Sequence, residues 1–262
     1  MGIVNVTPDS FSDGGRYLET EAAVAHGIAL VAEGAAILDV GGESTRPGAE
    51  PVEVAEELAR VIPVIERIAS AAPTARISVD TSKLEVAAAA LDAGAVLVND
   101  VTALRRAPSI AELVAGRDGV ELCLMHMRGE PRTMQANPRY VDVVDDVKAF
   151  LEERLAFAVD AGVPEQRILL DPGIGFGKTA EHNVALLRRL PEIVAIGRPV
   201  LVGTSRKSFL GALTGRADPG QRLAGTIATN VIAYEHGARV FRVHDVGPVH
   251  DALLVAAATV AV

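Results

Sequence analysis

The sequence predicts an α/β protein of the (β/α)8-barrel class, with one domain over residues 1–262 and an active site at the carboxyl ends of the strands. The composition is 49% hydrophobic and 3% aromatic, which suits buried aliphatic strands covered by helices. Eight short β-branched segments alternate with longer helical segments. Polar or glycine residues follow each strand-like segment, at the end where barrel enzymes place their chemistry.

The elements can be assigned in chain order. Strands are predicted at Gly2–Val4, Ala36–Val40, Arg76–Val79, Val96–Val98, Glu121–Met125, Ile168–Leu170, Val200–Val202 and Val240–Val243. Helices, in which apolar residues recur at spacings of three and four, are predicted at 20–34, 52–71, 83–93, 108–116, 142–162, 182–196, 208–236 and 247–259. The segment 208–236 should break near Asp218-Pro219-Gly220, a turn signal.

Repeated strand–helix units can also form an open doubly wound sheet. The residues after the strands favour the barrel. They are Asn5, Gly41-Gly42-Glu43, Asp80-Thr81, Asn99-Asp100, His126, Asp171, Thr204-Ser205 and His244-Asp245. A closed barrel brings these ends together in one ring, whereas an open sheet spreads them along an edge.

Charge and cysteine content restrict the partners and the compartment. A formal net charge of −9 argues against nucleic acid or an acidic membrane surface, because either requires a basic face. The single thiol, Cys123, is expected in the core and indicates a reducing compartment. The longest apolar runs are shorter than the roughly 20 residues of a membrane-spanning helix. We therefore expect a cytoplasmic protein.

Two polar, turn-rich loops follow the first two strands, at residues 5–15 and 41–48. Two such loops beside one mouth suggest a site that closes on its substrate. Ordinary surface turns would have the same composition, so this interpretation stays open on composition alone.

Polar residues end three of the apolar strands. Asp80, Asn99 and Asp171 would be costly in a barrel interior unless they met a partner. Each could instead cap the following helix. The three together favour a ligand rich in N–H donors.

The last two strands carry a cationic group. The segment 203–208, Gly-Thr-Ser-Arg-Lys-Ser, joins a strand to a helix, where barrels often hold anions. Arg242 and His244 alternate along the next strand and therefore point the same way. With Lys207 they form a local patch of positive charge suited to an anionic substrate.

Two other kinds of site are not supported by the sequence. Residues 171–179 end in Gly-Lys-Thr, but Pro172 stands where a nucleotide-binding P-loop requires glycine. The histidines in the helical segments have no metal-ligand spacing, so no transition-metal site is predicted. These histidines are His26, His182, His236 and His250.

Taken together, several segments resemble the successive signatures of the dihydropteroate synthase family. They are NVTPDSFSDGG, DVGGESTRPGA, SVDT, VNDV, LMHMRGEPRTMQ, LDPGIGFGKT, GTSRKSF and RVHDV, in the family's order from Asn5 to Val246. The resemblance implies an enzyme that joins a dihydropterin methyl diphosphate to 4-aminobenzoate.

The resemblance also implies a role for individual residues. Asp80, Asn99, Asp171 and Lys207 would bind the pterin. Asn5, Thr45, Arg242 and His244 would bind the diphosphate, Asn5 through Mg²⁺. Phe11, Pro47, Phe176 and Ser208 would form the 4-aminobenzoate pocket. Asp80, Lys207, Asp13 and Arg46 are the expected catalytic residues.

The implied mechanism is a substitution in which diphosphate leaves first and the aromatic amine then attacks a pterinylmethyl cation. A homodimer is implied as well. Two alternatives remain: a methyltransferase barrel that acts on methyltetrahydrofolate, and a paralogue that binds pterins without turnover. The two loop motifs and the Ser-Arg-Lys segment argue against the first, and the intact site residues argue against the second.

Overall fold

The chain alternates parallel strands with helices. In this computed structural model residues 1–7, 15–44, 48–130 and 133–259 are described, with the backbone alone for 15–18. The strands are β1 (Gly2–Asn5), β2 (Ile37–Gly41), β3 (Arg76–Asp80), β4 (Leu97–Asp100), β5 (Glu121–Met125), β6 (Ile168–Asp171), β7 (Leu201–Val202) and β8 (Val240–Phe241). The helices are α1 (Gly15–Ala32), α2 (Val54–Ala71), α3 (Leu84–Asp92), α4 (Ile110–Ala115), α5 (Val143–Asp160), α6 (Ala180–Arg188), α7 (Leu190–Val194), α8 (Ser208–Thr214), α9 (Leu223–Glu235) and α10 (Val246–Thr259).

Two bridges close the strands into a barrel. Strands β1 to β6 pair in sequence order, and β7 pairs with β8. Leu170 then bridges to Val200 between β6 and β7, and Gly2 bridges to Val243 between β8 and β1. The N–H of Ile3 donates to the Val243 carbonyl at 3.0 Å. The predicted (β/α)8 barrel is therefore confirmed, and even the short first strand takes part in closure.

The main hydrophobic core lies between the strands and the helices. It includes fully buried residues such as Val40 and Val79 from the strands and Ile65 and Ile68 from α2. A second, smaller cluster fills the barrel interior and contains Cys123, which has no exposed surface. The prediction that Cys123 is a core residue is thus confirmed. Among the helices of the described ranges, none is long and apolar enough to cross a membrane.

Two helical segments differ in detail from the sequence prediction. The predicted helix 182–196 divides at Arg189 into α6 and α7, because Pro191 in the first turn of α7 cannot donate the hydrogen bond that a continuous helix needs. The break near Asp218 is confirmed: a 3₁₀ turn, Pro219–Arg222, separates α8 from α9. Helix α1 begins five residues before the predicted start at 20, at Gly15.

Candidate active site

A polar layer covers the apolar layer inside the barrel. The apolar layer contains Ile37, Leu97, Cys123, Leu169 and Leu201. Residues two positions apart on a strand point the same way, so the next layer contains Asp39, Asn99, Met125, Asp171 and Gly203. The same spacing leads from Ser78 to Asp80 and from Val240 to Arg242. The carboxyl ends of the strands thus form a polar floor above the apolar layer.

Arg242 links two carboxylates at the centre of this floor. Its Nε donates to Asp39 Oδ2 at 2.5 Å and its Nη2 to Asp80 Oδ2 at 2.7 Å. The Asn99 amide also donates to Asp39 Oδ2, at 3.1 Å. Sequence reasoning missed Asp39, although a carboxylate inside the apolar strand Ile-Leu-Asp-Val-Gly gives the same signal as Arg242.

Burial and charge oppose each other in this group. Burial raises the pKa of Asp80 to about 7, against the effect of Arg242, and the nearby Asp39 and Glu57 carboxylates add to the increase. Burial alone would lower the pKa of Arg242, but Asp39 and Asp80 raise it above its ordinary value. The guanidinium is therefore a permanent cation, whereas Asp80 can hold or release a proton near neutral pH.

A second group lies across the mouth, where Asp171 faces Lys207. Burial raises the pKa of Asp171, and the Lys207 ammonium opposes that shift. Burial lowers the pKa of Lys207 to about 8, while Asp171 acts in the opposite direction. Lys207 Nζ also lies 4.7 Å from the centre of the Phe176 ring and donates to the Ile174 carbonyl. Its charge is thus shared between a carboxylate, a carbonyl and an aromatic face.

The turn after β7 orients Lys207 and His244. Ser205 Oγ lies 2.9 Å from His244 Nδ1 and accepts from the His244 backbone N–H at 3.1 Å. Between Ser205 and Lys207, Arg206 has a φ of +57°, in the left-handed region that non-glycine residues rarely occupy. A paired contact of its guanidinium with Asp245, at 2.9 and 2.5 Å, stabilises this conformation.

The turn after β4 is also strained. Ala103 and Leu104 have consecutive positive φ values of 51° and 66°. The Asp100 carboxylate accepts from the N–H groups of Thr102 and Leu104, at 2.7 Å each. Asp100 thus stabilises this turn, whereas Asn99 faces the interior and does not cap the following helix, which begins at Ile110.

A buried ion group anchors the described end of the second loop. Lys83 donates to both Glu43 and Glu57, and the Val52 N–H donates to Glu43 at 3.2 Å. Sequence reasoning missed this group, because nothing in the spacing of its members marks them as neighbours.

Most of the predicted site residues are described, and several converge. Asn5, Gly41, Asp80 and Asn99 are successive register partners on β1, β2, β3 and β4. Asp171, Lys207 and Arg242 interact across the floor, and His244 follows on the Arg242 strand. Phe176 is half-buried beside Lys207, and Ser208 is exposed at the start of α8. Phe11, Asp13, Thr45, Arg46 and Pro47 lie outside the described residues.

The chemistry available is that of binding and charge stabilisation. Asp80 and Asp171 can accept from N–H donors, while Arg242, Lys207 and His244 can face an anion. Within the described part of the chain, no group of three or more histidine, cysteine or acidic residues could hold a metal ion by itself. The fold and this site define a barrel enzyme that takes a small ligand with both N–H donors and negative charge.

Comparison with known proteins narrows that class. Residues 1–244 match the family of pterin-binding enzymes. A dihydropteroate synthase of Neisseria meningitidis serogroup B is 48% identical over 97% of this chain and 90% of its own length. The Xanthomonas albilineans dihydropteroate synthase with 4-aminobenzoic acid has a TM-score of 0.93 and 53% identity, covering 100% of this chain and 93% of that one. A structure of the enzyme from X. albilineans in complex with 7,8-dihydropteroate gives a TM-score of 0.89, 50% identity and the same coverage. The chain therefore belongs to the pterin-binding enzymes and, within them, to the dihydropteroate synthase family.

The raised pKa of Asp80 has a consequence for stability. Its ordinary value is 3.8 and its value in the fold is about 7, so the folded state holds this proton more tightly than the unfolded state. Stability is then lost as the pH rises between these values, by at most about 1.4 kcal/mol per pH unit for one group. We predict that the melting temperature of Asp80→Asn, measured relative to the wild type by calorimetry, increases from pH 5 to pH 8.

Asp160→Asn is the matched control, because Asp160 is exposed at the end of α5. Its melting temperature should follow the wild type across the same pH range. A constant difference between Asp80→Asn and the wild type would show that Asp80 is ionised throughout.

Proposed function

We propose that this protein condenses (7,8-dihydropterin-6-yl)methyl diphosphate with 4-aminobenzoate, giving 7,8-dihydropteroate and diphosphate. It is thus a transferase of folate biosynthesis. The observation that carries this proposal is the floor on which Arg242 joins Asp39 to Asp80 beside the Asp171–Lys207 pair. These charges match a ligand that is an N–H-rich heterocycle at one end and a diphosphate at the other.

Asp171 and Asn99 are suited to the pterin ring. Both are buried at the carboxyl ends of their strands. A planar heterocycle with adjacent amino and ring N–H donors matches a bidentate carboxylate, which assigns Asp171 to that edge. Lys207 and the Asn99 amide supply donors for the ring acceptors.

Arg242 and His244 are suited to the diphosphate. The Arg242 contacts with Asp39 and Asp80 use Nε and Nη2, and a guanidinium has further N–H donors for phosphate oxygens. Asn5 ends β1, where it pairs in register with Gly41, which in turn pairs with Asp80, and it offers an amide oxygen. Mg²⁺ typically binds few protein oxygens together with substrate phosphates, so this donor set fits that ion. Thr45 is the remaining proposed diphosphate contact.

Phe176 and Ser208 are suited to 4-aminobenzoate. The Phe176 ring is half-buried beside the Lys207 ammonium, and the Ser208 hydroxyl is exposed at the first residue of α8. The ring would form one wall of the pocket, and the hydroxyl would meet the carboxylate of the substrate. Phe11 and Pro47 complete the proposed pocket.

The proposed reaction begins with ionisation. The bond between the methylene carbon and the diphosphate oxygen breaks, and the electron pair leaves with the diphosphate, which Arg242 and His244 stabilise. The ionised Asp80 carboxylate stabilises the positive charge that spreads over the pterin. Bound Mg²⁺ would supply further positive charge against the leaving group. The aromatic amine then attacks the methylene carbon and loses a proton. Asp13 and Arg46 are the other proposed catalytic residues.

The deciding experiment measures diphosphate release from the dihydropterin diphosphate with Mg²⁺, with and without 4-aminobenzoate. Dihydropteroate is followed by chromatography in the same samples. We expect diphosphate and dihydropteroate in equal amounts when 4-aminobenzoate is present. Asp80→Ala should fold and lose about 100-fold or more in kcat/KM, whereas Asp160→Ala should retain wild-type turnover.

Other outcomes would point elsewhere. Tight pterin binding without any product would identify a non-catalytic paralogue. Wild-type kcat/KM in Asp80→Ala would remove Asp80 from the mechanism while leaving the reaction itself established.

The metal requirement has its own test. Chelation should abolish turnover, and added Mg²⁺ should restore it. Asn5→Ala should raise the Mg²⁺ concentration at half-maximal rate by about tenfold or more, with a smaller change at saturating Mg²⁺. Full activity after exhaustive chelation would contradict a role for the ion.

We also propose a homodimer that is formed through the last helices. Among the described residues, four of the seven exposed large hydrophobic side chains are on α8, α9 and α10: Leu213, Ile232, Leu254 and Val255. Helix α9 packs against both α8 and α10, so the helices that carry these residues lie on one side of the barrel. A second copy of the chain would cover such a surface.

Light scattering after size-exclusion chromatography should give twice the monomer mass. Leu254→Glu should shift this to the monomer, because a charge in an apolar interface is costly. Val159→Glu, an exposed position on α5, is the control and should leave the dimer intact. A monomeric wild type would refute the proposal.

A further inference from the structure

Lys178 is a buried lysine that the proposed reaction does not use. Its side chain follows the loop 172–177 and is almost fully enclosed, with 3% of the residue exposed. Its Nζ lies 2.8 Å from His126 Nδ1, 2.9 Å from the Gly173 carbonyl, 3.0 Å from the Phe176 carbonyl and 3.4 Å from the His126 carbonyl. These four acceptors satisfy the N–H donors of the amine in the interior. Burial lowers the pKa of Lys178 well below its ordinary value, and the Asp171 carboxylate opposes that shift.

His126 provides one of the acceptors that hold the Lys178 side chain. Burial lowers its pKa to about 2, and the neighbouring Lys178 charge adds to that shift. The ring is therefore neutral and accepts through Nδ1. The ring packs nearly perpendicular to Phe150, with the ring centres 4.9 Å apart. His126 is thus a fixed acceptor rather than a proton carrier.

The loop that Lys178 holds presents three groups to the site. The Gly173 N–H donates to Asp171 Oδ1 at 2.6 Å. The Ile174 carbonyl accepts from Lys207, and the Phe176 ring packs against the same ammonium. Lys178 bonds to the carbonyls of Gly173 and Phe176, so its contacts span the segment that carries all three.

Glycine makes this close contact possible. Gly173 and Gly177 have φ values of +64° and +63°. A Cβ on Gly173 would lie 1.8 Å from the His126 carbonyl oxygen, and one on Gly177 would lie 2.4 Å from that of Arg128. The loop therefore lies directly on the chain that leaves β5, and it needs a buried donor for the carbonyls that point inward.

We propose that Lys178, supported by neutral His126, is a positioning residue that holds loop 172–177 so that Asp171, Lys207 and Phe176 face the two substrates together. This inference rests on the proposed function, since those three residues are the proposed substrate contacts. When protonated, Lys178 also places a third positive charge near Asp171, beside those of Lys207 and Arg242. In that state it should help Asp171 to stay ionised, although burial lowers the pKa of Lys178 itself well below its ordinary value.

Two substitutions at Lys178 separate the effect of its hydrogen bonds to loop 172–177 from the effect of its charge. Lys178→Met removes both, while Lys178→Gln keeps N–H donors and removes the charge. In Lys178→Met we expect kcat/KM to fall about 100-fold, with higher KM values for both substrates. Lys178→Gln should recover much of the 4-aminobenzoate KM, because the loop is again braced. In Lys178→Gln the KM for the pterin should increase as the pH falls. This increase should begin at a higher pH than it does in the wild type.

Two substitutions at His126 test independently whether its contact with Lys178 holds the loop. In His126→Asn, the amide oxygen occupies nearly the position of Nδ1 and can accept from Lys178, whereas His126→Leu offers no acceptor. Asn should therefore rescue the KM values that Leu raises. Ile68→Ala, at a buried position on the core side of α2, is the stability control. It should lower the melting temperature and leave both KM values unchanged.

The outcomes separate this inference from the proposed function. If the wild type makes dihydropteroate and Lys178→Met, once folded, has wild-type KM values, the positioning role is refuted alone. If the wild type makes no product, the proposed function fails. Calorimetric binding of 6-hydroxymethylpterin to the same variants then decides the role of Lys178. Should Lys178→Met not fold, the His126 pair gives the decision.

Discussion

The ion group of Arg242 with Asp39 and Asp80 is the interaction on which the rest of the site depends. It joins the residue that follows β8 to β2 and β3 across the barrel interior. A buried guanidinium or carboxylate alone is very costly, and pairing offsets that cost without making the group a strong source of stability. Its main effect is on position, because two carboxylates and one cation can satisfy one another only in a narrow range of geometries. The same geometry turns Asp80 and Arg242 toward the mouth.

The barrel and much of the site could be predicted because both follow from strand periodicity. All eight strands were found, and polar residues at strand ends, such as Asn99 and Asp171, marked the mouth. Asp39 was missed although it obeys the same periodicity, two residues after Ile37. Arg242 was identified because a charged side chain inside an apolar strand is exceptional. Asp39 has the same setting and is its counter-charge, from near the other end of the chain.

Other residues could not have been found from local pattern. The contact between Lys178 and His126 joins residues 52 positions apart, and that between Lys83 and Glu43 joins residues 40 apart. Neither separation has a period that a helix or strand would impose. The left-handed conformation of Arg206 is equally invisible, because its stabilising partner Asp245 lies 39 residues away. Helix ends were easier: Pro191 and the turn at Asp218 are local, although only the second was recognised as a break.

The layered interior of the barrel also makes its opening measurable through the buried thiol of Cys123. Cys123 lies in the apolar layer inside the barrel, together with Leu97 and Leu169 of the neighbouring strands. Burial raises the pKa of this thiol well above its ordinary value, so a thiol-modifying reagent meets neither an accessible nor an ionised sulfur in the closed barrel. The rate at which such a reagent labels Cys123 therefore measures how often the strands separate, and no engineered probe is needed.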